Sequence, residues 1–168
     1  MFSFFITLST ILILVMATYQ DVKYRAITWY AFPLLAVALF ILNRELTITE
    51  IIINIGFIVI NYSLASLIIS FKEGCATNLL KAHIGLGDIL LLLCLAFYFP
   101  PLNFFAFYLS SLVLIASGVG IYLVLQKPSQ FTVPLAGLQS FLLAGFILAS
   151  SMLGISQNNV SWLNDFLA

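Results

Sequence analysis

Apolar runs of bilayer-spanning length, separated by short polar or Pro/Gly segments, set the pattern of this chain. About 20 consecutive apolar residues carry a helix across the hydrocarbon core. Six runs meet or approach that length, near residues 2–20, 27–42, 49–71, 86–99, 102–125 and 133–154. The second and fourth are short, so each borrows flanking residues or sits among longer neighbours. The pattern predicts an all-α fold: a polytopic membrane helix bundle of about six transmembrane helices, with residues 1–168 forming one domain.

Composition sharpens this picture. Of the 168 residues 63% are hydrophobic and 7% charged, with a mean hydropathy of +1.18, whereas soluble domains carry about 25% charged residues. The bundle uses nearly all of the chain and leaves no room for a second globular domain. A formal net charge of zero gives no reason to expect nucleic acid or a polybasic surface patch; the expected surroundings are a lipid bilayer. Met1 to Gln20 lacks the basic segment and small-residue cleavage site of a secretory signal, so it reads as a retained first helix. Cys75 falls in a polar linker and Cys94 within an apolar run, so no disulfide is expected between them. No metal-ligand spacing occurs, and no cofactor is called for.

Position makes the few charges informative. With the N-terminus outside, Lys23, Arg25, Lys72, Lys81 and Lys127 fall in cytoplasmic loops and only Arg44 lies outside, as the positive-inside rule requires. The expectation is a multi-pass protein of the inner, cytoplasmic membrane with both termini outside the cytoplasm. Ser110, Ser111, Ser117, Gly118 and Gly120 on the fifth span, and Gly137 and Gly145 on the sixth, are expected to let helices approach closely. Asn54 and Asn61, seven residues apart, share a helix face and are expected to hydrogen-bond inside the bundle.

Two carboxylates, Asp21 and Asp88, stand directly against apolar runs on the cytoplasmic side, where ionisable groups are costly and usually functional. Glu45, Glu50 and Asp165 fall on the opposite side, and Glu73 sits beside Lys72 in a charged loop. Read singly, Asp88 is a helix N-cap and Asp21 a solvated juxtamembrane residue. Read together, they are two acids at one membrane face, each beside a turn.

These residues carry a resemblance. Gly85-Leu86-Gly87-Asp88 matches the G-x-G-D motif, and Asp21 followed six residues later by Ile27 matches the first aspartate motif, of the type IV prepilin peptidase and preflagellin peptidase family of aspartic membrane proteases. Val133-Pro134-Leu135-Ala136-Gly137 resembles the family's Pro-containing start to a late span. The likeness extends over nearly the whole chain. It departs from the family at Thr28-Trp29, where Pro-Asn is usual, and at Leu90, where Lys is common. The paired CxxC region that accompanies N-methylation in longer members is not found.

The resemblance implies an aspartic endopeptidase that removes basic leader peptides from prepilin-like membrane proteins at the cytoplasmic face, without N-methylation. Asp21 and Asp88 would be catalytic, with Gly85, Gly87 and Ile27 in substrate-binding or supporting roles. In such a dyad one carboxylate takes a proton from water and one carboxylic acid protonates the carbonyl oxygen. Asp88 at a helix N-terminus is the expected base and Asp21 at a C-terminal end the expected acid. Both glycines are expected to permit unusual backbone angles and close approach of an extended substrate. His83, the sole histidine, reads as a solvated loop residue. Two other readings stay open: a proton-coupled small membrane transporter, and an inactive peptidase-like assembly protein.

Overall fold

The computed structural model describes residues 2–73, 85–126 and 133–154. Within them the chain forms six helices and no strand: α1 Phe2–Tyr24, α2 Ala31–Leu42, α3 Ile48–Glu73, α4 Leu86–Leu95, α5 Pro101–Gln126 and α6 Leu135–Leu153. Four of them, α1, α3, α5 and α6, are long and apolar enough to cross a membrane. This is an all-helical, multi-pass membrane bundle. Lys81, His83, Cys75, Lys127 and Asp165 lie outside the described residues.

Local chemistry fixes where each helix stops. Residues 20 to 24 contain no Gly or Pro, so α1 runs a turn past the expected end. It closes at Arg25, whose φ of 54° is left-handed and whose N–H donates to the Asp21 carbonyl at 3.0 Å. The following loop is pinned by Gln20, whose Oε1 accepts from both the backbone N–H and the hydroxyl of Thr28, each at 3.0 Å. Pro33 sits in the first turn of α2, where a missing N–H removes no helical bond. The first turn of α3 is a capping box: Glu50 Oε2 accepts from the N–H of Thr47 at 2.8 Å, while the N–H of Glu50 donates to Thr47 Oγ1 at 3.3 Å.

The two runs flagged as short are shorter still as helices. At 1.5 Å per residue, the 12 residues of α2 rise about 18 Å and the 10 of α4 about 15 Å, against a hydrocarbon core of roughly 30 Å. The α4 helix ends at Leu95 because Pro100 and Pro101 follow, and a residue preceding proline is steered out of the helical region. Pro101 then serves as the first residue of α5. Residues 96–100 are therefore non-helical backbone inside the bundle, tolerated at such depth only when protein groups satisfy it. Asn54 Nδ2 donates to the carbonyls of Ala96 (3.2 Å) and Phe99 (2.8 Å), and Asn43 Nδ2 donates to that of Tyr98 (2.7 Å).

The core is centred on α4. Leu91, Leu92, Leu95 and Phe99 pack against Leu14 of α1, Leu35 and Leu39 of α2 and Leu143 and Ile147 of α6. Outward faces of α1, α3 and α5 expose Phe5, Leu12, Ile52, Leu67, Val113 and Val124, the surface a helix presents to lipid rather than water. The Asn contacts set the α2 C-terminus, the α3 N-terminus and the α4 C-terminus at one end of the bundle, so the α2 and α4 N-termini lie toward the other.

Two packing expectations are corrected. A Cβ on Gly118, Gly120 or Gly145 would meet nothing within 4 Å among the described residues, so these glycines are not in close helix contact there. Ser110, Ser111 and Ser117 donate to carbonyls three residues back on their own helix, although Ser111 Oγ also accepts from Gln139 Nε2 of α6 at 3.3 Å. Of the two asparagines on α3, Asn54 bonds across the bundle as expected, but Asn61 donates to the Phe57 carbonyl of its own helix at 2.9 Å. One turn of a helix always offers a carbonyl at i−4, and a polar side chain takes it when no better acceptor is within reach.

Candidate active site

Three helix ends meet at the end of the bundle opposite Asn43. Asp21 lies in the last turn of α1, Asp88 in the first turn of α4, and the first turn of α6 lies against both. That turn begins at Pro134, and its leading amides have no intrahelical acceptor. The N–H of Gly137 donates to Asp21 Oδ2 at 2.6 Å. The Asp88 carboxylate faces the backbone amides of Ala136 and Gly85. The two acids are near enough to interact electrostatically. Consecutive amides of one helix N-terminus thus hold carboxylates from two other helices, where the positive end of the helix dipole favours negative charge.

Asp88 is not the N-cap residue. Gly85 takes that place with extended backbone, and Asp88, three positions on, folds its side chain back over the Gly85 amide, the reciprocal half of a capping box. The expected glycine conformations are also corrected. Gly85 has φ −67°, and Gly87 is an ordinary helical residue; among the described residues only Arg25 and Gly154 have left-handed φ. What Gly87 provides is proximity. A Cβ there would just touch Ile27 Cδ1, Ala136 Cβ and Phe32 Cζ at 3.8 to 3.9 Å, so Gly87 sits where α4, α6 and the α1–α2 loop converge. At Gly85 a Cβ would press on Asp88 Oδ2 at 3.2 Å.

The dyad opens into a cleft of about 650 Å³ lined by Asp21, Asp88, Gly85, Gly87 and Ile27, together with Arg25, Trp29, Phe32, Leu86, Leu90 and residues 133–136. All five residues singled out by sequence therefore share one cavity. Its wall mixes polar and apolar groups, and Arg25 is the one cation among the described lining residues. Around the mouth, Tyr19, Tyr24, Trp29 and Tyr30 are exposed, and Lys23 Nζ donates to Tyr19 OH at 2.6 Å between the Tyr19 and Tyr24 rings. Exposed Trp and Tyr with snorkelling cations mark the headgroup level of a bilayer, so the carboxylates sit near a membrane interface rather than at its midplane.

Sequence reasoning missed Thr18, Gln20 and the amides of Ala136 and Gly137. The signal for the last two was present in Pro134, which starts a helix and leaves its first-turn N–H groups free. Thr18 stands three residues before Asp21, hence on the same helix face.

No cluster of three or more His, Cys, Asp or Glu able to hold a metal occurs among the described residues. Cys94 is buried and free, its thiol directed at the Phe32 carbonyl. Comparison of the chain with protein-family profiles, with curated proteins and with solved structures finds no match.

Proposed function

We propose that this protein is a membrane aspartic endopeptidase of the prepilin peptidase type, cutting basic leader peptides from prepilin-like membrane proteins at the cytoplasmic face, without N-methylation. The observation that supports this most is the meeting of Asp21 and Asp88 at the α6 N-terminus inside an open cleft. Two carboxylates brought together repel each other, a cost that the amides at the α6 N-terminus offset in part. Aspartic peptide hydrolysis needs that arrangement.

In the proposed reaction the two acids share one proton. The ionised member takes a proton from water as it attacks the scissile carbonyl, and the protonated member donates to the carbonyl oxygen. Both carboxyls face the α6 N-terminus, Asp21 through the Gly137 amide at 2.6 Å, and either can carry the shared proton. Water and the two carboxyls suffice, and no cofactor takes part. Gly85, Gly87 and Ile27 line the cleft beside Asp88, where the substrate backbone would lie. The interfacial position of the dyad suits a scissile bond at the boundary between a polar leader and an apolar helix, and it argues against a transporter, whose sites lie near the midplane.

The test is co-expression with a prepilin-like protein from the same genome. A leader-length mobility shift is expected with the wild-type chain and should vanish in Asp21→Ala and in Asp88→Ala. Ion flux without cleavage would favour the transporter, and neither activity would leave an inactive assembly protein.

A further inference from the structure

The first turn of α6 does more than border the cleft. Gly137 packs against one turn of α1: its N–H donates to Asp21 Oδ2 at 2.6 Å, and its carbonyl lies 3.1 Å from Thr18 Oγ1, whose single hydroxyl proton is shared with the nearer Leu14 carbonyl of its own helix at 2.8 Å. The contact is so close that a Cβ on Gly137 would stand 2.9 Å from Asp21 Cβ, 3.0 Å from Asp21 Oδ2 and 3.3 Å from the Thr18 carbonyl oxygen. Gly118, Gly120 and Gly145 show nothing comparable; a Cβ there would meet nothing within 4 Å among the described residues. The Gly137 amide, and the close approach of its α-carbon to Asp21, thus fix where the Asp21 carboxylate points.

We infer that Gly137 and Thr18 are positioning residues for the dyad: a side-chain-free amide on α6, clasped by Thr18, sets Asp21 in register with Asp88. The inference rests on the endopeptidase reading and adds a third element to it. Neither residue touches substrate; each acts through Asp21. Aligned carboxyls matter because a displacement of about 1 Å at a reacting group costs up to about a hundredfold in rate, and a Cβ at Gly137 forces Asp21 or its surroundings to move.

The experiment compares Gly137→Ala, Thr18→Val and Thr18→Ser, with Gly145→Ala as a control, in the purified full chain in lipid nanodiscs. With a prepilin-like substrate from the same genome, Gly137→Ala is expected to lower kcat by about tenfold or more with KM little changed. Thr18→Val should lower kcat less, Thr18→Ser should restore it, and Gly145→Ala should match wild type. A purely packing role would reduce the amount of folded protein and leave kcat per folded molecule intact, which would overturn the inference.

A second readout does not depend on activity. Modification of the Asp21 carboxyl by a membrane-permeant carbodiimide, located by peptide mass spectrometry, should run several-fold faster in Gly137→Ala than in wild type, because the carboxyl has lost its amide. Equal rates would sink the positioning role whether or not cleavage is seen. A wild-type chain that fails to cleave, with the labelling difference present, would instead remove the endopeptidase reading and leave the clasp standing.

Discussion

At the scale of single residues, the site depends on what glycines omit. Gly87 and Gly137 lie on different helices and work differently: Gly137 is in contact too tight for a methyl group, whereas Gly87 has room for one but little more. This predicts a graded series at position 87. Gly87→Ala should cleave more slowly than wild type by a small factor, and Gly87→Val, with two further methyls pressing on Ile27, Phe32 and Ala136, should cut much less well. Initial rates of leader removal at matched amounts of folded protein measure both, and a Val variant as fast as the Ala variant would deny Gly87 a place at the cleft. Glu50, by contrast, has a structural account: it closes the capping box of α3 with Thr47. The T-x-x-E spacing was there to be read in the sequence; the fold supplies nothing else for that acid to do.

Among the elements, α4 is the one whose shape sets the architecture. It is short, buried at the centre, and it ends where Pro100 and Pro101 prevent further helix, leaving carbonyls that two asparagines from other helices satisfy. Replacing Asn54 by Leu removes both donors to Ala96 and Phe99. Interhelical hydrogen bonds in membranes average about 0.6 kcal/mol, yet a carbonyl left unsatisfied in the interior costs about 1–3 kcal/mol. Asn54→Leu is therefore expected to destabilise the bundle by about 1–2 kcal/mol, read as a lower midpoint in detergent-titrated unfolding, while Asn61→Leu, which loses a bond within its own helix, should shift it much less. The first turn of α6 is the second decisive element. Pro134 frees its amides, and the chain spends them on Asp21 and Asp88 rather than on water or a cap of its own.

For the whole molecule, alternation of the helices separates two ends. One carries Asn43, Arg44 and the α4 C-terminus; the other carries the dyad, the aromatic collar and Arg25. On the proposed function the dyad end faces the cytoplasm, the side that the positive-inside bias favours for Lys23 and Arg25. In a Cys75→Ser, Cys94→Ala background, Arg44→Cys should react with a membrane-impermeant maleimide applied to intact cells, and Trp29→Cys, at a position 76% exposed, only after permeabilisation. The reverse labelling would move the cleft to the outer face, where a cytoplasmic leader could not reach it.

Hydropathy alone determined the class of this protein, because burying or lipidating so many apolar side chains leaves few architectures, and a helix satisfies its own backbone wherever it lies in the bilayer. Spacing and charge also determined that Asp21 and Asp88 belong to one face, since each span reverses the direction of the chain. Local order of residues could not reveal that α6 supplies the amides, that Gly137 rather than Gly145 is the close contact, or that Asn54 reaches across the bundle while Asn61 does not. Those facts depend on rotation and depth of one helix against another, which side-chain packing decides and a hydrophobic run leaves undetermined.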